Sequence, residues 1–157
     1  MSDGILQEIL GYAKEIERHL HQNHCSPTPL DSSRNAAASA TADEFGDWVL
    51  LTSNAELVAC GITTGLKFDA HYLSIRGATN NREIVVEIGY GDAVGSAIKY
   101  NGFTFTTDSI RSSAYEAPGR RITQTASGNL YYRMKGSGGS EVIAGAWPDV
   151  HWYEKVI

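Results

Sequence analysis

The stretch Glu83-Ile84-Val85-Val86-Glu87-Ile88-Gly89-Tyr90 puts Ile84, Val86, Ile88 and Tyr90 at every second position. Strict alternation of this kind fits a strand with one face in a core and the other toward solvent. Similar short segments recur at Trp48–Leu51, Leu66–Ile75, Ala97–Tyr100, Gly102–Thr107, Arg121–Thr125, Leu130–Lys135 and Val150–Val156. Turn-forming residues separate them, at Thr79-Asn80-Asn81, Asn101-Gly102, Pro118-Gly119, Ser127-Gly128-Asn129 and Gly136-Ser137-Gly138-Gly139. In the longest of them, Leu66, Phe68, Ala70 and Tyr72 share one parity before Leu73 and Ile75 take the other, so a β-bulge is expected there. Short strands at regular spacing, with no helical pattern between them, predict an antiparallel β-sandwich of jelly-roll type over residues 45–157.

Two further segments precede that region. Residues 5–22 are rich in helix formers, with Asp3 placed to favour the helix N-terminus. The helix is expected to end by Asn23, because Ser26-Pro27-Thr28-Pro29 follows and each proline disfavours the α conformation of its predecessor. Residues 1–23 thus read as an N-terminal helix, and residues 24–44, small, polar and proline-containing, as a linker or extended arm. A chain of 157 residues accommodates one domain plus such an appendage.

The helix carries an apolar stripe. Leu6, Ile9, Ala13, Ile16 and Leu20 follow one another at intervals of three, four, three and four, the a/d spacing of a coiled coil, with Ile5 and Leu10 widening the face. Fewer than three heptads, an alanine at one core site and Gly11 inside the helix make it too weak to stand alone. The stripe is expected to serve oligomerisation or anchoring against other chains, a homotrimer above all; docking on the chain's own β domain is the alternative.

Charge and cysteine usage narrow the partners. A net charge of −5 without a dense basic face argues against nucleic acid, and Arg120-Arg121 reads as an ordinary loop pair. No apolar run approaches a bilayer span, and Met1-Ser2-Asp3-Gly4 does not open a signal peptide, so no membrane partner and synthesis in the cytosol are expected. The two cysteines, Cys25 and Cys60, are expected as unpaired thiols, one bridge being the alternative.

No catalytic constellation stands out, and a non-enzymatic protein without a cofactor is expected. Gly89-Tyr90-Gly91-Asp92-Ala93-Val94-Gly95 lacks the strand–helix context of a phosphate loop. Gly136-Ser137-Gly138-Gly139-Ser140 has glycine where a nucleophile elbow needs serine. His19, His21, His24 and Cys25 cluster in sequence, but without a second ligand group no metal is expected; a metal shared about a symmetry axis is the alternative. Glu83 and Glu87 share strand parity as a glycosidase pair would, but the solvent face of a half-buried strand is the expected reading. Trp147, Trp152 and Tyr153, with Tyr131 and Tyr132 upstream, are candidate surface-recognition aromatics for a glycan. Since Trp152 and Tyr153 are adjacent on a strand, one of them is expected in the core.

The β region resembles jelly-roll proteins of tailed-bacteriophage virions, of the capsid decoration or cement type. The residues that carry the resemblance are Gly46-Asp47-Trp48-Val49-Leu50-Leu51, then Val85-Val86-Glu87-Ile88-Gly89-Tyr90-Gly91. Ala117-Pro118-Gly119-Arg120-Arg121-Ile122 follows, ahead of Tyr132-Arg133. They span roughly residues 44–135 and form a pattern of strands and turns. The resemblance implies a structural protein on the capsid exterior of a virion, bound to the major capsid protein as an oligomer. A tail or baseplate appendage and a carbohydrate-binding module for host recognition are the alternatives.

Overall fold

The computed structural model describes residues 3–20, 22–25, 34, 36–76, 83–106, 111–115, 121–138, 142–143 and 145–153. The turns anticipated at Thr79-Asn80-Asn81 and Pro118-Gly119, the Ser26-Pro27-Thr28-Pro29 segment and the strand tail beyond Tyr153 lie outside them. Helix α1 (Asp3–Leu20) opens the chain, followed by β1 (Gln22–Cys25), β2 (Ala36–Ala37), β3 (Val49–Thr52) and α2 (Asn54–Ala59). Then come β4 (Lys67–Arg76), β5 (Glu83–Gly91), β6 (Ile98–Thr106), β7 (Arg111–Tyr115) and β8 (Ile122–Thr123). β9 (Asn129–Gly136), β10 (Val142–Ile143) and β11 (Gly145–Tyr153) complete the order.

Two principal sheets form, β1-β11-β4-β7 and β3-β9-β5-β6, and β2 pairs with β10 in a small third one. Among the eight longer strands, the first sheet takes the first, eighth, third and sixth in chain order, and the second takes the second, seventh, fourth and fifth. That interleaving is a jelly roll, as the sequence predicts. β11 runs along one edge of β4, so β7 and β8 share the other, pairing with its last five and first two residues respectively.

Between the sheets lies one core. Phe68, Leu73 and Ile75 of β4 meet Ile84, Val86 and Ile88 of β5, Phe103 of β6, and Leu130, Tyr132 and Met134 of β9, all buried. The bulge expected in β4 is present: Asp149 faces Tyr72 and His151 faces Asp69, three steps on β4 against two on β11. It falls ahead of Tyr72, which therefore leaves the core parity assigned to it and stays half-buried on the outer side. The turn expected at Asn101-Gly102 is absent as well. β6 continues through it, with an irregularity at the neighbouring Tyr100, because Ile88 and Glu87 of β5 pair with these two residues and hold them extended.

The polar segment after α1 differs most from its expectation as a linker. β1 joins the first sheet beside β11, and Ala36 and Ala38 are buried in the core. Arg34 donates to the carbonyl of Leu51 at 3.0 Å and forks onto Glu56 at 2.8 and 2.9 Å, while the Tyr132 hydroxyl donates to the Arg34 carbonyl. Gly46 passes so close that a Cβ there would lie 2.0 Å from the carbonyl oxygen of Ala37. Cys25 and Cys60 form a disulfide with a Cα–Cα distance of 6.0 Å, inside the usual range, which corrects the expectation of unpaired thiols. The pairing of β1 with β11 is what brings two cysteines 35 residues apart in sequence together.

Candidate interaction surfaces

The outer face of the β3-β9-β5-β6 sheet gathers side chains from three segments read separately along the sequence. Glu87 on β5 and Arg133 on β9 are register partners and so share a face. The Arg133 Nε and Nη2 donate to Glu87 Oε2 at 2.9 and 2.7 Å, and Lys99 Nζ lies 2.7 Å from Oε1. Above this pair, the Arg133 guanidinium sits 4.4 Å from the Trp48 ring centre and 4.6 Å from that of Phe45. Such distances give a cation–π contact to each ring. Gly89 provides the floor for Trp48: a Cβ there would come within 2.8 Å of the indole. The Gly46–Leu51, Val85–Gly91 and Tyr132-Arg133 segments, separate in sequence, therefore meet at one place.

Burial of Glu87 on its own would raise its pKa. The hydrogen bonds from Lys99 and Arg133, with their charges, outweigh that, and the carboxyl is held below the usual glutamate range. An ionised, doubly clamped carboxylate cannot act as a general acid near neutrality. Glu83 is exposed four residues away, about 13 Å along an extended strand, beyond the separation a glycosidase pair uses. This constellation ties β3, β5, β6 and β9 together on the outer face of the sheet.

At one open edge of the sandwich, Tyr90, Ile98, Lys99 and Tyr100 from β5 and β6 face Arg121, Ile122 and Thr123 at β8 across a cleft of about 360 Å³. The Tyr90 hydroxyl accepts from the Thr125 amide at 2.8 Å and reaches the Gln124 side-chain oxygen at 3.2 Å, fixing one wall. Ile98 stands 73% exposed on the lip.

The candidate surface aromatics do not assemble. Trp152 is buried, pairs with Phe68 on the core side of the first sheet and lies over Gly61, so it is a packing residue rather than a recognition residue. Trp147 is half-buried and pairs with Ser74, on the other side of the same sheet. Tyr131 and Tyr132 are buried, and the side chain of Tyr153 lies outside those described. Among the described residues no group of three or more His, Cys, Asp or Glu could hold a metal, and Cys25 is committed to its disulfide. His21 and the side chains of His19 and His24 lie outside the described set.

On α1 the apolar stripe faces outward: Leu6 is 50% and Ile9 51% exposed, and Ala13 is exposed as well. The flanking Ile5 and Leu10 behave likewise. The side chains of Ile16 and Leu20 lie outside those described.

No protein-family model and no curated protein matches this chain. Among solved structures, it is similar to a subunit of the disulfide-linked pili that form Bacillus endospore appendages. The identity is 14% and the TM-score 0.36, covering 84% of this chain and 85% of that one. It is also similar to the C-terminal family 22 carbohydrate-binding module of Clostridium thermocellum Xyn10B, at 7% identity and a TM-score of 0.34, covering 87% of both chains.

Proposed function

We propose that this chain is a non-enzymatic structural protein of a tailed-phage particle, a decoration or cement protein. It binds the assembled shell as an oligomer, a trimer in the favoured form, and braces the major capsid protein. The observation that carries this reading is the half-exposed apolar stripe of α1 on a chain whose sandwich already closes its own core. A stripe so spaced gains stability only by burial against another chain. The sandwich then acts as a rigid body, and several modest contacts sum through multivalent attachment to a repeating shell.

The disulfide adds support. Bridges of this kind persist at virion and cell surfaces and are rare in reducing cytosol, so a protein that works on a released particle can keep one. Nothing catalytic is needed: the cluster around Glu87, with one carboxylate held between two cations, suits a contact face.

The test is sedimentation of the purified chain with and without shells lacking it. The reading expects an oligomer that pellets with shells, and expects Leu6→Asp with Ile9→Asp to lose both properties while melting with the unaltered chain once both are dilute enough to be monomeric. Unchanged oligomer and unchanged shell binding in that variant would sink the assignment.

A further inference from the structure

Among the described residues, the large apolar side chains that remain exposed fall into a small number of places. Five lie on α1, from Ile5 to Tyr12; Val58 lies on α2; and Val94 and Ile98 lie in and just after the β5–β6 connection. Ile98 borders the cleft between β6 and β8 and, at 73%, is the most exposed of all. Among the described residues the molecule thus exposes an apolar helix face and an apolar lip.

Their charges are complementary. The first part of α1 bears Asp3 and Glu8 and no basic residue before Lys14. The cleft is flanked by Lys99 and Arg121, and Lys99 is 58% exposed even while paired with Glu87. Their positions are complementary as well. α1 leads directly into β1, at one edge of the first sheet, and the cleft sits at β8, beyond the opposite edge of β4. Three strand spacings, about 14 Å, separate those edges. β1 cannot swing away from its own edge, since its last residue, Cys25, is tied to Cys60.

We infer that α1 of one copy docks its Leu6–Ile9–Leu10 face onto the Ile98 lip of the cleft in the next copy, with Glu8 toward Lys99 and Arg121. This rests on the proposal that α1 mediates oligomerisation, and it names the surface that receives the helix. Such a helix-in-groove contact uses anchors at i, i+3 and i+4, the spacing of these three residues. Donor and receptor are different surfaces on opposite edges, so the contact is heterologous. It closes into a ring when the rotation between copies allows, three copies for a trimer.

Mixing two single variants separates this from a helical bundle. Leu6→Asp spoils the donor and leaves the receptor; Ile98→Asp does the reverse. Both positions are exposed, so both variants are expected to melt with the unaltered chain once all are dilute enough to be monomeric. Should Ile98→Asp melt lower, Ile98→Ser takes its place. The inference expects each variant alone to be monomeric, and an equimolar mixture to form a 1:1 pair of twice the monomer mass that grows no further. If Ile98→Asp alone keeps the full oligomer while Leu6→Asp loses it, the helices bundle with one another. The inference is then overturned and the proposed function still stands. A chain that is monomeric before any substitution overturns both.

Discussion

Two amphipathic segments of this chain meet opposite fates. β5 sends Ile84, Val86 and Ile88 into the core, where each is fully buried, while α1 leaves Ile5, Leu6, Ile9 and Leu10 about half exposed. Both sequences advertise an apolar face with the right period for their secondary structure. The difference is what each finds within its own chain. β5 has β9 and β6 on either side and a second sheet opposite; the jelly roll supplies every contact it needs. α1 stands ahead of a sandwich that is already closed. The comparison teaches that patterning identifies a face to be buried without saying whose surface buries it.

The sharpest way to break this comparison is to attack the buried side first. Phe68→Ala removes a fully buried ring from the centre of the first sheet and should cost about 3–5 kcal/mol. Chemical denaturation measures this; a loss below 1 kcal/mol would mean the core is not as closed as described. Next comes the disulfide. Reducing Cys25–Cys60 should destabilise the sandwich by about 2–4 kcal/mol, read as a lower midpoint in reductant. An unchanged midpoint would argue that β1 is held without the bridge.

A smaller effect is expected on the outer face. Glu87→Gln leaves Arg133 and Lys99 without their shared carboxylate and should cost about 1–2 kcal/mol, since both cations still reach solvent. The same contact predicts a pH dependence. Glu87 has its pKa lowered in the folded protein, so its contribution is fully present above the ordinary glutamate range. It is lost as pH falls through that lowered value. Acid titration of stability should therefore be shallower in Glu87→Gln than in the unaltered chain; identical slopes would contradict the clamp. Smallest of all, Leu6→Asp should change the stability of the sandwich by no more than about 0.5 kcal/mol, because the site is exposed in the single chain.

Much of the fold was legible because it rests on local patterns. Alternation marked β5, and the change of parity between Ala70 and Leu73 marked a bulge in β4. What escaped was non-local. Ala36 and Ala38 carry no apolar signal strong enough to distinguish a core position from a linker, yet both are buried beneath the sheet edges. The disulfide depends on β1 lying beside β11, a pairing across more than a hundred residues that spacing alone cannot reveal.

One local signal lies in plain sequence. Ser53-Asn54-Ala55-Glu56 is a capping box, with Ser53 accepting from the Glu56 amide and Glu56 accepting from the Ser53 amide, and it starts α2 directly after β3. The cluster at Glu87 was half legible. Glu87 and the Trp48, Gly89 and Arg133 segments were noticed separately, but only the register of β5 with β9 places them on one face. Trp152 was ambiguous for the opposite reason, since an aromatic near the end of a strand serves a core or a surface equally well until its neighbours are known. These corrections also decide where the chain can be cut. Removing residues up to 44 would take β1 and β2 from the sandwich, so point substitutions on α1 isolate the helix more cleanly.

The most direct test of a self-sufficient sandwich with an intermolecular helix is equilibrium sedimentation of the full chain beside Leu6→Asp with Ile9→Asp, paired with thermal melts. The account predicts an oligomer for the unaltered chain, a monomer of 17.0 kDa for the variant, and matching melts once both are dilute enough to be monomeric. An oligomer that survives both substitutions would contradict it, as would a chain that is monomeric throughout.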